Sequence, residues 1–373
     1  MQNFFAYSLF MENAEFIPAP LPPDQDVETP DVLRALSRAH RPLGELKGLV
    51  QSIPNPSILI STLGLQEAKD SSEIENIVTT HDDLFRAGPD PRSLNGAQKE
   101  VVRYTEGLSL GHGAVRETGL LTCRTIADVH AALSGAEIGF RRAPGTTLKN
   151  DATGEIVHVP PQHPDAVLDL MSNLERFMNE TDDTALDPLT RMAIAHHQFE
   201  TIHPFPDGNG RTGRIVNVLM LVQSGLLDLP VLYLSRYITS TKADYYALLQ
   251  QVREDGNWEP WLLYILEGVA RTAEHAVGFV TAMRDLMRDT KRIIRNEESR
   301  IYSQDLINNI FRHPYTRIGF VESELGVSPV TARKYLEALE KLDILRSFKV
   351  GRDRYFVNDR LVRLLMDIPR IGA

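Results

Sequence analysis

The chain has 373 residues, enough for two or three domains, one of them with a substantial core. With 42% apolar and 24% charged residues and a formal net charge of −10, it excludes wholesale disorder and a protein whose main surface coats nucleic acid. The charge is uneven: residues 301–373 hold twelve Lys or Arg against nine Asp or Glu, net +3, leaving −13 on residues 1–300.

The apolar stretch Met1–Leu9 has no basic flank and soon meets Glu12 and Glu15, so it lacks the layout of a signal peptide. Pro18, Pro20, Pro22, Pro23 and Pro30 mark an extended lead-in over residues 18–30. Leu33, Leu36, Leu43, Leu46 and Leu49 then space out a first amphipathic helix, broken near Pro54 and Pro56. Ile58–Leu65 and Ile74–Phe85 read as two more. For the second of these, Ser72 would be the N-cap and Glu75 the third helical residue of a capping box, ahead of Ile74, Ile77 and Val78.

Gln98–Leu110 and Thr125–Leu133 continue the helical pattern. Cys123 is the single cysteine, so an intrachain disulfide and an all-cysteine metal site are excluded; it reads as a buried structural thiol in a reducing compartment. From Pro144 to Pro161 the texture changes. Pro144-Gly145, Asn150-Asp151 and Thr153-Gly154 punctuate a β-branched run, Ile156–Val159, which predicts a hairpin inserted among helices. Helices resume at Ala166–Glu180, Pro188–Thr201, Arg211–Gly225, Lys242–Glu254 and Trp258–Arg288.

Beyond Ile301, short helices precede two strand-like runs, Ile344–Val350 and Arg354–Val357. Glu324-Leu325-Gly326-Val327-Ser328 has a turn glycine and a Ser N-cap. Thr331–Leu342 would follow as a recognition helix presenting Arg333 and Lys334, with Arg352 and Arg354 near a wing tip: a winged helix-turn-helix. No run reaches the roughly 18 apolar residues of a membrane helix, so the chain reads as cytoplasmic, with no membrane partner. The expected fold is mainly α, with one hairpin in mid-chain and another near the C-terminus.

The chemically richest segment is His203-Pro204-Phe205-Pro206-Asp207-Gly208-Asn209-Gly210-Arg211-Thr212-Gly213-Arg214. Its Gly-x-Gly-x-x-Gly spacing is not a dinucleotide fingerprint, because a helical pattern and not a strand precedes it. No Gly-Lys-Ser/Thr completes a Walker A loop. A Gly-Asn-Gly loop between two helices instead converges backbone N–H groups on an anion at the start of the second helix. Arg211 and Arg214 share one helical face for further phosphate oxygens. Asp207 is a hard oxygen ligand for Mg²⁺, and His203 is the segment's neutral-pH base. The blander readings are a core histidine and a solvated arginine face; a metal site of His196, His197 and His203 is a third, without zincin spacing.

This string resembles the Fic family motif His-x-Phe-x-Asp/Glu-Gly-Asn-Gly/Lys-Arg-x-x-Arg, agreeing at all eight specified positions. The resemblance implies an all-helical core with a β-hairpin flap, and transfer of AMP from ATP to a Ser, Thr or Tyr hydroxyl of a protein. It implies His203 as base and Asp207 as the Mg²⁺ ligand. Gly208, Asn209, Gly210 and Arg211 would cradle the α- and β-phosphates, with Thr212 and Gly213 in the same binding loop. Arg214 would take the γ-phosphate, and Phe205 would be buried to fix the loop.

The same resemblance makes Ser71-x-x-x-Glu75-Asn76 an inhibition motif, with Glu75 pairing Arg214 and so barring the productive ATP pose. It makes Ile156, Val157, His158 and Val159 a flap strand for docking an extended target segment. Tyr233, Tyr237, Tyr245, Tyr246 and Ser240 fall where related proteins build the adenine side. The implied organisation is an N-terminal helical region at 1–110 with its inhibitory motif at 71–76, a Fic core at 111–275, a linking helix at 276–300 and a winged helix-turn-helix at 301–373. Implied partners are ATP and a protein substrate, including the chain itself, with a homodimer common among relatives. DNA contact through residues 301–373 stays open. So do removal of AMP with Glu75 placing a water, a nucleotide-sensing DNA-binding regulator, and transfer of another nucleotide or phosphocholine.

Overall fold

The computed structural model describes residues 15–80, 95–149, 153–180, 186–350 and 353–366. The Met1–Leu9 stretch, residues 81–85, the Asn150-Asp151 turn and Gly351-Arg352 of the expected wing tip lie outside the described residues.

In chain order the elements are α1 (Pro30–Val50), α2 (Ser57–Ile74), α3 (Gly96–Thr118), α4 (Cys123–Ser134), β1 (Leu148–Lys149), β2 (Ile156–His158), α5 (Pro164–Met178), α6 (Pro188–Ile202), α7 (Asn209–Gln223), α8 (Ser235–Ser240), α9 (Lys242–Asp255) and α10 (Trp258–Glu297). There follow α11 (Gln304–Arg312), β3 (Tyr315–Thr316), α12 (Ile318–Leu325), α13 (Pro329–Lys341), β4 (Arg346–Val350), β5 (Asp353–Val357) and α14 (Asp359–Met366). The fold is mostly helical, with small antiparallel strand pairs, as expected. The described chain divides into two compact units. One is Met1–Arg41, Arg103–Pro230 and Ile238–Ala270; the other is Pro42–Val102, Val231–Tyr237 and Arg271–Ala373.

In the first unit α6 and α7 form the centre. Every residue from Met192 to Ile202 is buried, so this stretch of the helix has no solvent-facing side and is not amphipathic. The indole of Trp261 donates to the carbonyl of Ala193 at 2.9 Å. Gly213 lets α7 approach α6 closely: a Cβ there would lie 2.9 Å from Glu200 Oε1 and 3.0 Å from Phe199 Cδ1. The hairpin pairs Leu148 with His158 and Lys149 with Ile156. Cys123, at the first position of α4, is half-buried; burial, with Glu175 beside it, pushes its thiol up to about 12, which makes it inert at neutral pH.

In the second unit the order α11, β3, α12, α13, β4, β5 carries a three-stranded antiparallel sheet, β3-β5-β4. Gly326 turns the chain at φ 65°, and the Ser328 hydroxyl accepts from the N–H of Thr331 at 3.2 Å, both as the spacing predicts. The two-residue strand β3 and helix α14 have no counterpart in the sequence reading. The expected break between Leu65 and Ile74 is absent: α2 is continuous, and residues 75–80 are not helical. The polar residues that interrupt its apolar pattern are buried and satisfied within this unit. Glu67 accepts from the N–H of Ser235 at 3.3 Å and from its hydroxyl, and Arg236 Nε donates to Asp70 at 3.1 Å. Ser72 donates to the carbonyl of Ala68 at 2.8 Å, so the expected capping box does not form.

Candidate active site

Helix α6 ends at Ile202, and His203 follows with left-handed backbone, φ 50°, its N–H on the carbonyl of Phe199 at 2.9 Å. Pro204 adds a residue that cannot donate, and the chain leaves the helix. Phe205 is fully buried, as the resemblance implies. Its ring lies 3.7 Å from and 2° off parallel to His130, and 5.3 Å from Phe140. Asn209 closes the loop: its Oδ1 accepts the Phe205 N–H and its Nδ2 donates to the Phe205 carbonyl, each at 2.8 Å. Gly208 then takes φ 73° and starts α7 with no side chain to cap it. That leaves the first turn of α7 suited to an external anion.

Around this turn the structure gathers His203, Asp207, Gly208, Gly210 and Arg211. The Asp207 side chain is 94% exposed; its Oδ1 accepts the Gly208 N–H at 2.8 Å and its Oδ2 lies 3.9 Å from Arg211. A single exposed carboxylate suits an ion that completes its shell with phosphate oxygens and water. Among the described residues there is no group of three or more His, Cys, Asp or Glu placed to hold a metal by themselves. Arg211 and Arg214 are buried on the face of α7 toward the core. Burial, then the guanidiniums of Arg141 and Arg253, push His203 down to about 4. Its imidazole is therefore neutral, and able to accept a proton, throughout the neutral range.

Several expected binding residues have other work. Asn209 bonds the loop backbone rather than facing outward, and the Thr212 hydroxyl turns back onto the Gly208 carbonyl at 2.9 Å. Gly213 faces Phe199 and Glu200 on α6. Tyr245 is a core residue: its hydroxyl is 2.9 Å from His196 Nε2 and its ring 5.7 Å from Trp261. Ser240 and Tyr246 are exposed, while Tyr233 and Tyr237 are buried in the other unit. The trio of His196, His197 and His203 gives no metal site, since His196 is bound to Tyr245 and His197 donates to the Leu249 carbonyl at 3.1 Å.

On the hairpin, Ile156 and Val157 are exposed, as a docking strand requires. His158 is not: it is buried, donates from Nε2 to the Thr201 carbonyl at 2.9 Å, and is pushed down to about 3 by burial and Arg253. The Val159 carbonyl is taken by the N–H of Phe16 at 2.8 Å. In the second unit Ser71 is buried within α2, and Glu75 caps its end. Asn76 follows at φ 62°, the left-handed backbone that Gly and Asn tolerate best.

The sequence reading missed His130, Arg141 and Arg253. His130 Nε2 donates to the Asp207 carbonyl at 2.9 Å. Arg141 Nε donates to the His203 carbonyl at 2.8 Å, and Arg253 Nε to the Thr201 hydroxyl at 3.1 Å. All three bind the loop or its flank from elements distant in sequence, so no local spacing reveals them.

Three family models match the chain: Fic/DOC family N-terminal over residues 33–113, Fic/DOC family over 120–221, and the C-terminal domain of SoFic-like protein adenylyltransferase over 286–361. Among curated proteins it is similar to protein adenylyltransferase fic-1 of Caenorhabditis briggsae, 31% identical over 144 residues, 38% of this chain and 27% of that protein. It is also similar to protein adenylyltransferase Fic of Drosophila melanogaster, 30% identical over 140 residues, 38% and 26% of the two chains. The chain thus spans about a quarter of the length of the curated relatives it matches. Among solved structures, a Fic family protein from Desulfovibrio desulfuricans superposes with TM-score 0.58 at 19% identity, over 90% of this chain and 98% of that one. Fic-1 of Caenorhabditis elegans superposes with TM-score 0.52 at 20% identity, over 67% and 73%.

Proposed function

The chain belongs to the Fic/DOC family, and from that premise we propose that it is a protein adenylyltransferase, moving AMP from Mg-ATP to a Ser, Thr or Tyr hydroxyl of a protein. The observation that carries the reading is the helix start at Asn209, with no capping side chain, preceded in one loop by His203 at the end of α6 and the exposed carboxylate of Asp207.

In this reading the phosphates lie on the first turn of α7, where Gly208 and Gly210 allow close approach and Arg211 adds charge. Asp207 would hold Mg²⁺, which supplies neutralisation of phosphate charge when bound. His203 takes the hydroxyl proton as the oxygen attacks the α-phosphorus; the bond to the β-phosphate oxygen breaks and pyrophosphate leaves. Positioning and charge neutralisation suffice for such a transfer, so no protein nucleophile is needed. The exposed Ile156 and Val157 would pair a target segment in extended form. Self-inhibition through Glu75 belongs to the same proposal and rests on the Ser71-x-x-x-Glu75-Asn76 sequence.

The order of helices and strands from α11 to β5 supports a winged helix-turn-helix. Its use on DNA has less support, because Arg354 is committed within the module, to Glu340 at 2.7 Å, Glu337 at 3.3 Å and Ser347 at 3.1 Å. Arg333 and Lys334 are exposed on α13. Among the described residues no helix is long and apolar enough to cross a membrane.

The test is incubation with α-labelled ATP and Mg²⁺. Label is expected on protein with the wild-type chain and absent with His203→Ala, which still binds ATP. Full labelling by His203→Ala removes His203 as base. Absence of label from both wild type and Glu75→Gly, in a cell extract supplying targets, overturns the activity.

A further inference from the structure

Arg141 lies outside the motif, between α4 and the hairpin, and is only 5% exposed. Its Nε donates to the carbonyl of His203 at 2.8 Å, and its Nη2 donates to the carbonyl of Ile202 at 3.2 Å and to that of Pro161. Its own N–H donates to the carbonyl of Pro204 at 2.8 Å. One residue thus gathers four carbonyls from two separate stretches of chain. Ile202 and His203 form the carbonyl end of α6, where the last C=O groups lack intrahelical partners and the helix dipole favours a cation. Pro161 is three residues beyond the end of β2. A planar guanidinium can hold both at once through fixed, divergent donors, which an ammonium cannot reproduce.

We propose that Arg141 is a positioning residue that fixes strand β2 relative to His203, so that a hydroxyl on a segment paired along β2 meets the imidazole in register for attack. The proposal rests on the reading of His203 as base and β2 as docking strand. Main-chain pairing sets the register of a target along β2 but says nothing of its distance from the base. A brace between the two supplies that distance, and a displacement of about 1 Å costs on the order of a hundredfold in rate. Arg141 has a second effect on His203. With burial and Arg253 it opposes protonation of the imidazole, while Asp207 and the Glu200 backbone favour it; His158, on β2, lies in the same field and stays neutral.

The two effects separate in two variants of the full chain. R141K keeps the charge and loses the fork; R141M loses both. In hydrogen exchange, both are expected to lose protection in peptides covering residues 156–159 and 200–205, with the cooperative thermal transition retained. In transfer assays, kcat is expected to fall by roughly ten- to a hundredfold in both, with KM for ATP unchanged because the start of α7 is untouched. The acidic limb of the rate profile is expected to move to higher pH in R141M and to stay in place in R141K. Unchanged exchange over 156–159 in the variants that fold overturns the proposal, and so does unchanged kcat. If R141M fails to fold, R141K decides. If the wild-type chain transfers nothing, the functional reading fails, and the exchange measurement still decides whether Arg141 ties β2 to His203.

Discussion

Asn209 grips Phe205 by both of its backbone polar groups, accepting from the N–H and donating to the carbonyl at 2.8 Å each. The Asn209 side chain is buried, so it fixes the loop that starts α7 from within. Asn209→Ala leaves a buried donor and acceptor of Phe205 unsatisfied, at about 1–3 kcal/mol each. The expected outcome is a lower thermal midpoint together with weaker ATP binding. Asn209→Asp is expected to behave almost as badly, since it restores the acceptor but sets a carboxylate against the Phe205 carbonyl. Unchanged ATP affinity in both variants would show that the clamp does not shape the phosphate site.

The close approach of α7 to α6 at Gly213 gives a second expectation. An added methyl at 2.9 Å from Glu200 Oε1 and 3.0 Å from Phe199 Cδ1 forces one helix or both side chains to move. Gly213→Ala is therefore expected to destabilise by about 1–3 kcal/mol, the usual cost of overpacking. The control is Gly113→Ala on α3, where an added Cβ meets nothing within 4 Å. There the helix gains roughly 0.5–1 kcal/mol from the better propensity of Ala. Denaturant midpoints of opposite sign in the two variants are the result to look for.

Much of this fold is legible from periodicity. Helices such as Pro188–Ile202 and Lys242–Asp255 fall within a few residues of their expected bounds, because Asp187 and Pro188 mark the start of the first and Gly256 the end of the second. What fails, fails for physical reasons. Helix α2 runs on past Leu65 because Glu67 and Asp70 find buried partners on Ser235 and Arg236, which no local pattern foretells. The loop over residues 203–208 lies between two helices with Phe205 buried, as the sequence implies, but its inner wiring is not legible. Asn209, Thr212 and Gly213 are scarcely distinguishable in sequence from ligand-facing residues, and only their partners show that they fold the loop. The bracing by His130 and Arg141 is non-local and leaves no spacing to find.

Three buried histidines are expected to make the first unit acid-labile. His158, His196 and His197 are each pushed down to about 3, by burial first and then by neighbouring arginines: Arg253 for His158 and His197, Arg214 for His196. Unfolded, each titrates near 6.5. Below that pH the unfolded chain binds protons that the folded chain refuses, so stability present above about 6.5 is lost as pH falls toward 3. Urea midpoints measured from about pH 7.5 down to pH 4.5 are expected to drop steadily. His196→Gln, which keeps a polar partner for Tyr245 but cannot titrate, is expected to flatten that slope.

Glu75 offers the remaining test, and its local geometry makes the test clean. The residue is the C-cap of α2, with φ −92° and ψ 19° and its N–H on the carbonyl of Ser72 at 3.0 Å. Glycine tolerates that conformation, and a C-terminal helix end is where glycine costs least, so Glu75→Gly is expected to keep the end of α2 intact. Any change in transfer then reflects the lost carboxylate rather than a damaged helix. If the carboxylate restrains the enzyme, self-labelling with α-labelled ATP is expected to rise by about 5–150-fold, the span of intramolecular couplings of ~1–3 kcal/mol. Glu75→Gln, which keeps the shape but not the charge, is expected to rise too, because the restraint acts through charge on an arginine. Labelling at the wild-type level in both variants would sink self-inhibition through Glu75 and leave the transfer reaction at His203 standing.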